Sequence, residues 1–180
     1  FQQSRFTRAV FFNANIAETN FRAIYAPRAD FCSATAVRSD FSEAFLNDTE
    51  ADESTDFSGA SFVGANLEGV SWAGPKLDSA NLDDASLDNA DMTGASMKGA
   101  RMIRAVAKGA TLDKVTLHDA DLSGLNLFEG RLRGADISNS RLEMGNYFGV
   151  DFQDAMLDRV SFEGSDIGRT ILAVRKALGK

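Results

Sequence analysis

The stretch from Ala80 to Ala100 reads ANLDD ASLDN ADMTG ASMKG A, and its period of five constrains the fold more than any other feature. Each Ala is followed two residues later by Leu82, Leu87, Met92 or Met97, with a short polar residue between. The pattern is not local. From Phe57 to Ile167 there are 23 positions spaced by five, and all but Ala107 are large and apolar. Call each of these a centre. Two residues before the centre, 12 of the 23 are Ala; just before it, 17 are Asp, Asn, Ser or Thr. Two residues after it lie 11 of the 15 glycines.

A helix needs apolar residues at a period of 3.6, and a strand with one buried face needs a period of two. Five residues fit neither, but they can make one straight side and one turn. In an extended side, the centre and the residue two before it point the same way, inward. Smallness at the second position lets two inward side chains share a narrow interior. Glycine after the centre suits a tight turn with unusual backbone angles. The short polar residue before the centre suits a side-chain hydrogen bond to nearby backbone.

The first fifty residues keep the period in another frame, with centres Phe1, Phe6, Phe11, Ile16, Phe21, Phe31 and Phe41. Ala26 and Ala36 interrupt it, which predicts an irregular coil with Tyr25 filling the space beside Ala26. Phe41 and Phe57 are one residue further apart than three repeats require, so the frame slips within 47–56, as a bulge or a short projecting loop. After Ile167 the sequence GRTILAVRKALGK suits a short amphipathic helix over 169–180, capping the open end of the apolar column.

Composition narrows the function. No apolar run approaches the ~18 residues of a membrane-spanning helix. Cys32 is the only cysteine, so neither an internal disulfide nor a cysteine metal cluster is available. The net charge of −7 disfavours direct contact with nucleic acid or an anionic membrane. His118, the only histidine, follows a centre and should point outward without a nucleophile to serve. There is no GxxxxGK[ST] phosphate loop. The residues therefore supply no catalytic, cofactor or metal site, and the expectation is a protein that is not an enzyme.

These repeats resemble the pentapeptide-repeat family, whose unit is A(D/N)LXX, over nearly the whole chain. The resemblance implies an all-β solenoid: a right-handed quadrilateral β-helix of about eight coils over 1–168, twenty residues to the coil. It also implies two functions. The first is a non-enzymatic protein–protein interaction or scaffold module, such as one domain of a longer bacterial secretion-system accessory protein. The second is a DNA-mimicking inhibitor of gyrase, an acidic rod that dimerises through its C-terminal end. The charge layout favours the first, because Arg101, Asp121 and Arg141 alternate down one column and no column is continuously acidic. The expected partner is a protein, with no nucleic acid or membrane, and a homodimer would form through an end or the C-terminal coils. A bacterial cytoplasmic location is expected, unless a targeting segment precedes the chain.

Two surface features stand out as interaction sites. Asp48, Glu50, Asp52, Glu53 and Asp56 form the densest acidic stretch. Phe128 and Phe148 each follow a centre and lie twenty apart, so they should stack outward, with Met144 and Met156 also outward in these coils.

Overall fold

The computed structural model describes residues 1–172, and in it the chain winds as a square coil with one five-residue unit to each side. Each unit is too short for a regular strand and contributes a single ladder residue, the one before its centre. That residue pairs in parallel with its equivalents one coil away, as Arg5 does with Tyr25 and Asn126 with Asn146. Only two sides extend further, β1 (Glu50–Ala51) and β2 (Ser71–Trp72), which pair in parallel with Glu50 opposite Ser71. The ladders form four walls. Wall I runs from Arg5 to Asp166, wall II from Val10 to Ile171, wall III from Asn15 to Met156 and wall IV from Asn20 to Ser161. Wall I has nine rungs, which at ~4.8 Å each make a rod about 40 Å long.

The repeat follows from where the backbone hydrogen bonds go, since a buried N–H must find a partner. The centre donates to the next coil, as Leu127 N–H does to Asn146 O at 2.8 Å, and the residue before it donates to the previous coil, as Asn126 does to Ala105 O at 3.0 Å. The second residue after the centre also donates to the next coil, as Glu43 does to Val63 O at 2.8 Å. The third closes the turn onto the centre's own carbonyl, as Ala44 does to Phe41 O at 3.1 Å. This leaves the N–H just after the centre. The short polar side chain before the centre takes it, as Asn20 does from Arg22, Asp30 from Cys32 and Asn81 from Asp83. The Asp/Asn preference is thus a backbone cap repeated along the rod.

Both inward positions are buried throughout the middle of the rod. At the N-terminal end the interior is aromatic. Phe11 stacks on Phe31 and Phe21 on Phe41 at 4.9 Å, one coil apart, while neighbours within a coil meet edge to face, as Phe31 and Phe41 do. Beyond Trp72 the interior is chiefly Leu, Met and Ala.

Two expectations change and a third is narrowed. The coil containing Ala26 and Ala36 is regular; Ile24, fully buried at a position usually held by Ala, helps fill the interior, and Tyr25 points outward as a ladder residue. The frame slips by one within 47–56, and the extra residue is a bulge within the wall rather than a projecting loop. Pairing shifts from twenty residues (Asp30 with Glu50) to twenty-one (Thr35 with Asp56), then returns to twenty (Asp56 with Lys76). Asp52 and Thr55 close the bulge: Asp52 accepts from Ser33 N–H at 2.8 Å and from the Thr55 hydroxyl at 2.9 Å. At the other end, Arg169 takes the usual left-handed corner (φ 55°) and Ile171 pairs with Asp151. The wall therefore continues through 169–172, where the helical cap was expected to start; the rest of that cap, 173–180, lies outside the described residues.

Candidate interaction surface

The groups with chemical potential are dispersed. His118 Nε2 lies 3.1 Å from Asp119 Oδ2 and 3.3 Å from Asn139 Nδ2 on wall III, with neither a hydroxyl nor a thiol among these partners. Cys32 sits on wall II beside Asp30. Burial, reinforced by the Asp30 carboxylate, pushes its thiol up to about 12, the reverse of what a reactive thiol needs. Among the described residues no group of three or more His, Cys, Asp or Glu is placed to hold a metal ion.

The acidic stretch is spread around the rod by the bulge. Asp48 lies at a corner of wall I, Glu50, Asp52 and Glu53 lie on wall II, and Asp56 on wall III. Burial alone would raise Asp52, but the Ser33 N–H, the Thr55 hydroxyl and the Ser54 N–H outweigh it and hold the carboxyl below its ordinary range. Asp52 is thus a structural acceptor. It is one of thirteen aspartates that accept a backbone N–H, eight from two residues on, four from a residue one coil away and Asp52 itself. Arginines on the same wall meet aspartates too, as Arg101 does Asp83 and Arg104 does Asp84, each at 2.7 Å. The Asp121 column behaves differently from its sequence reading: Arg101 turns to Asp83, and Arg141 lies 3.8 Å from Asp121 and 3.3 Å from Glu143.

Wall I differs from the other three. It carries five cations (Arg5, Arg8, Arg28, Lys108, Arg169) against five carboxylates (Asp48, Glu68, Asp88, Glu129, Asp166). Wall II carries eight carboxylates against three cations, and walls III and IV are also net acidic. Five aromatic side chains point out of the walls, and four of them are on wall I: Tyr25, Phe45, Phe128 and Phe148. The fifth, Phe12, is on wall II.

These four form two clusters. Near the start, the Arg5 guanidinium lies 4.3 Å from the Tyr25 ring centre, and Tyr25 lies 6.0 Å from Phe45. Tyr25 and Phe45 are 37% and 50% exposed. The small floor between this aromatic ridge and the arginine corner makes a concavity of about 340 Å³, lined by Thr7, Arg8, Tyr25, Pro27, Arg28 and Asn47. Four coils on, Phe128 and Phe148 stack at 5.7 Å with planes 5° apart, and Arg169 covers Phe148 at 5.6 Å. A second concavity, about 280 Å³, runs from Phe128 toward Lys108 and Asp88. Mutual stacking leaves these two rings half-buried. Met144 is exposed on wall IV, at the corner before Asn146, and Met156 is on wall III, so neither belongs to the pair's ladder. The Tyr25–Phe45 cluster was missed from sequence, although its signal was present: each ring precedes a centre, and the two are twenty apart.

Comparison with known proteins agrees with the geometry. The family model for pentapeptide repeats matches eight copies, over residues 73–106 and 108–143, breaking at the small centre Ala107. HetL, a pentapeptide repeat protein from the cyanobacterium Nostoc sp. strain PCC 7120 involved in heterocyst differentiation regulation, superposes with a TM-score of 0.67. It is 21% identical, over 96% of this chain and 86% of HetL. A trypsin-treated form of QnrB1, a plasmid-mediated fluoroquinolone resistance protein, also gives 0.67, at 17% identity over 92% of this chain and 87% of that one. A search of curated protein sequences finds no match. The likeness to these two structures is one of fold, the right-handed quadrilateral β-helix. Residues 73–106 and 108–143 thus carry the repeats of the pentapeptide-repeat family, and the same five-residue unit and capped turns recur on every wall of the described chain.

Proposed function

We propose that the protein is a non-enzymatic interaction or scaffold module that binds a protein partner on wall I. The observation that carries this reading is the concentration of outward aromatic rings on the one wall whose charges balance. Apolar surface of this kind marks interfaces, and a wall without net charge avoids the repulsion an acidic partner would meet on the other three. Tyr25 with Arg5, and Phe148 with Arg169, are the aromatic and arginine types that anchor protein interfaces.

The DNA-mimic reading draws on wall II, where carboxylates outnumber cations. On that wall, however, Arg131 pairs with Asp113 and Arg133 with Asp151, and several aspartates are turned onto backbone. Beyond those, the acidity of wall II centres on Glu50 and Glu53 within a single coil, against the ~1.7 Å charge spacing that duplex DNA sustains along its whole length.

The test is proximity labelling in the native host with the wild type and with a wall I variant carrying Tyr25→Ser, Phe45→Ser, Phe128→Ser and Phe148→Ser. The proposal expects a specific protein neighbour that the variant loses. A neighbour indifferent to wall I but lost on reversing Glu50 and Glu53 would overturn it, as would inhibition of gyrase supercoiling at micromolar protein.

A further inference from the structure

Six of the described left-handed corners carry arginine: Arg8, Arg28, Arg38, Arg104, Arg159 and Arg169. Five of these find a partner one coil away. Arg28 faces Asp48 at 3.6 Å, Arg38 meets Glu18, Arg104 meets Asp84 at 2.7 Å, Arg159 meets Asn139, and Arg169 covers the Phe148 ring. Arg8 is the exception. Among the described residues it has no ion pair, side-chain hydrogen bond or ring contact. The residue one coil on at its own corner is Arg28, and like charges in register on neighbouring strands repel. The place that a carboxylate fills beside other corner arginines is taken here by a second guanidinium.

These two arginines form one side of the first concavity on wall I. The other side is the ridge of Arg5, Tyr25 and Phe45, all exposed, with Arg5 over the Tyr25 ring. The floor between them is low: Thr7, the buried Pro27 and the half-buried Asn47, one from each of three successive coils. It therefore runs along the rod for two coil steps, about 10 Å. The two sides are three residues apart in sequence, so their backbones are separated by less than about 10 Å. A groove of that width admits one extended chain, and its length faces about three residues. Successive side chains of an extended chain point opposite ways, so one set faces the rings and the other the arginines. The rings favour apolar side chains, and two adjacent guanidiniums favour a carboxylate held by charge-assisted hydrogen bonds.

The rest of the wall limits the size of the anion. Its first two coils carry Arg5, Arg8 and Arg28 with no carboxylate, and the next three carry Asp48, Glu68 and Asp88 with no cation. A polyanion or an anionic membrane would lie over both groups and be repelled by the second, whereas a short acidic segment ends before it. We propose that this groove holds an extended segment of a partner protein in which apolar and acidic residues alternate, an acidic side chain between Arg8 and Arg28 and its apolar neighbours against Tyr25 and Phe45. The proposal rests on wall I being the binding surface and names the chemistry of its partner.

The probe is a fluorescein-labelled nonapeptide of alternating leucine and aspartate, titrated with the purified protein and followed by fluorescence anisotropy. A dissociation constant on the order of 10–100 μM is expected, about tenfold tighter than for leucine–lysine or serine–aspartate control peptides. Arg8→Glu gives Arg28 a carboxylate neighbour like those at other corners. It should weaken peptide binding about tenfold or more and leave the urea midpoint no lower. Tyr25→Ser with Phe45→Ser should weaken it about tenfold and erase the preference for leucine over serine. No binding at about 500 μM protein, binding indifferent to Arg8→Glu, or an equal response to the serine–aspartate peptide would overturn the proposal. So would tighter binding to phosphatidylglycerol vesicles or to a single-stranded oligonucleotide. Should the peptide fail to bind while the wall I variant still loses its native neighbour, the acidic segment falls and the interaction reading stands. Should that neighbour also be indifferent to wall I, both fall.

Discussion

The coils before the bulge and those after it have the same backbone, built from different residues. Before it, ten corners are left-handed, from Gln3 to Asp48, and none is glycine. After it, glycine and other residues share the left-handed corners almost equally. A non-glycine residue in this conformation costs about 1–2 kcal/mol, so local preference cannot explain the first set. Coil stacking does: each corner N–H is held by the carbonyl one coil on, as Glu43 is by Val63 and Arg28 by Asn47. The corner is a property of the stack, and glycine relieves strain where it occurs. The interiors differ in parallel. The glycine-free corners surround stacked phenylalanines, and each well-placed ring pair contributes about 0.5–1.5 kcal/mol beyond its buried area. The bulge divides the two regions, and neither Glu53 nor Ser54 there is left-handed.

If the aromatic interior offsets corner strain, removing a ring there should cost most. Phe41 packs against Phe21, Phe31, Phe57 and Phe62. Phe41→Ala should cost about 4 kcal/mol in urea unfolding, more than Leu122→Ala in the later region; the reverse order would break the comparison. In the later region the tightest fit is at Gly145, where an added Cβ would lie 2.8 Å from Tyr147 Cζ and 2.9 Å from the Leu125 carbonyl. Gly145→Ala should cost about 2–3 kcal/mol, and Tyr147→Leu in the same chain should recover part of it.

The corners can be tested against each other. Ala23 has φ 54°, and Gly94 has φ 73° with nothing within 4 Å of an added Cβ. Ala23→Gly should stabilise and Gly94→Ala destabilise, each by about 1 kcal/mol. Equal and negligible effects would mean that stacking has erased the strain altogether. The smallest effect concerns the bulge. Asp52 is held below the ordinary carboxylate range, so its stabilisation is present above pH ~4 and is lost as pH falls through its folded value. Asp52→Asn should therefore be less stable near neutrality and lose less on acidification to pH ~2, as read by the urea midpoint across pH. An unchanged acid slope would show that other aspartates carry it.

The fold was legible because each signal in the repeat has one structural use. Apolar residues two apart within five must both face inward, and a short polar residue before the centre caps the turn that follows. Phe128 and Phe148 were legible for the same reason, since residues after a centre face out and twenty residues make a coil. Tyr25 was misread because Ala26 leaves a gap in the pattern, and only the packed interior shows that Ile24 helps to fill it.

What the sequence determined by itself is the coil: its period, its inward positions and its capped turns, all set by interactions within a unit or its immediate neighbours. What only the tertiary structure decided is how the two frames align. One extra residue within 47–56 could have been placed in a loop, a corner or a side with little local difference. It is placed in the wall because Asp52 and Thr55 bind back to Ser33 and Phe31 one coil away, and Trp72 Nε1 donates to Thr49 from the other direction. Wherever within 47–56 it sits, the extra residue pairs Phe45 with Asn66, twenty-one residues on, and this puts Tyr25 and Phe45 on the same wall as Phe128 and Phe148. The proposed binding surface depends on contacts between coils, which no five-residue unit contains.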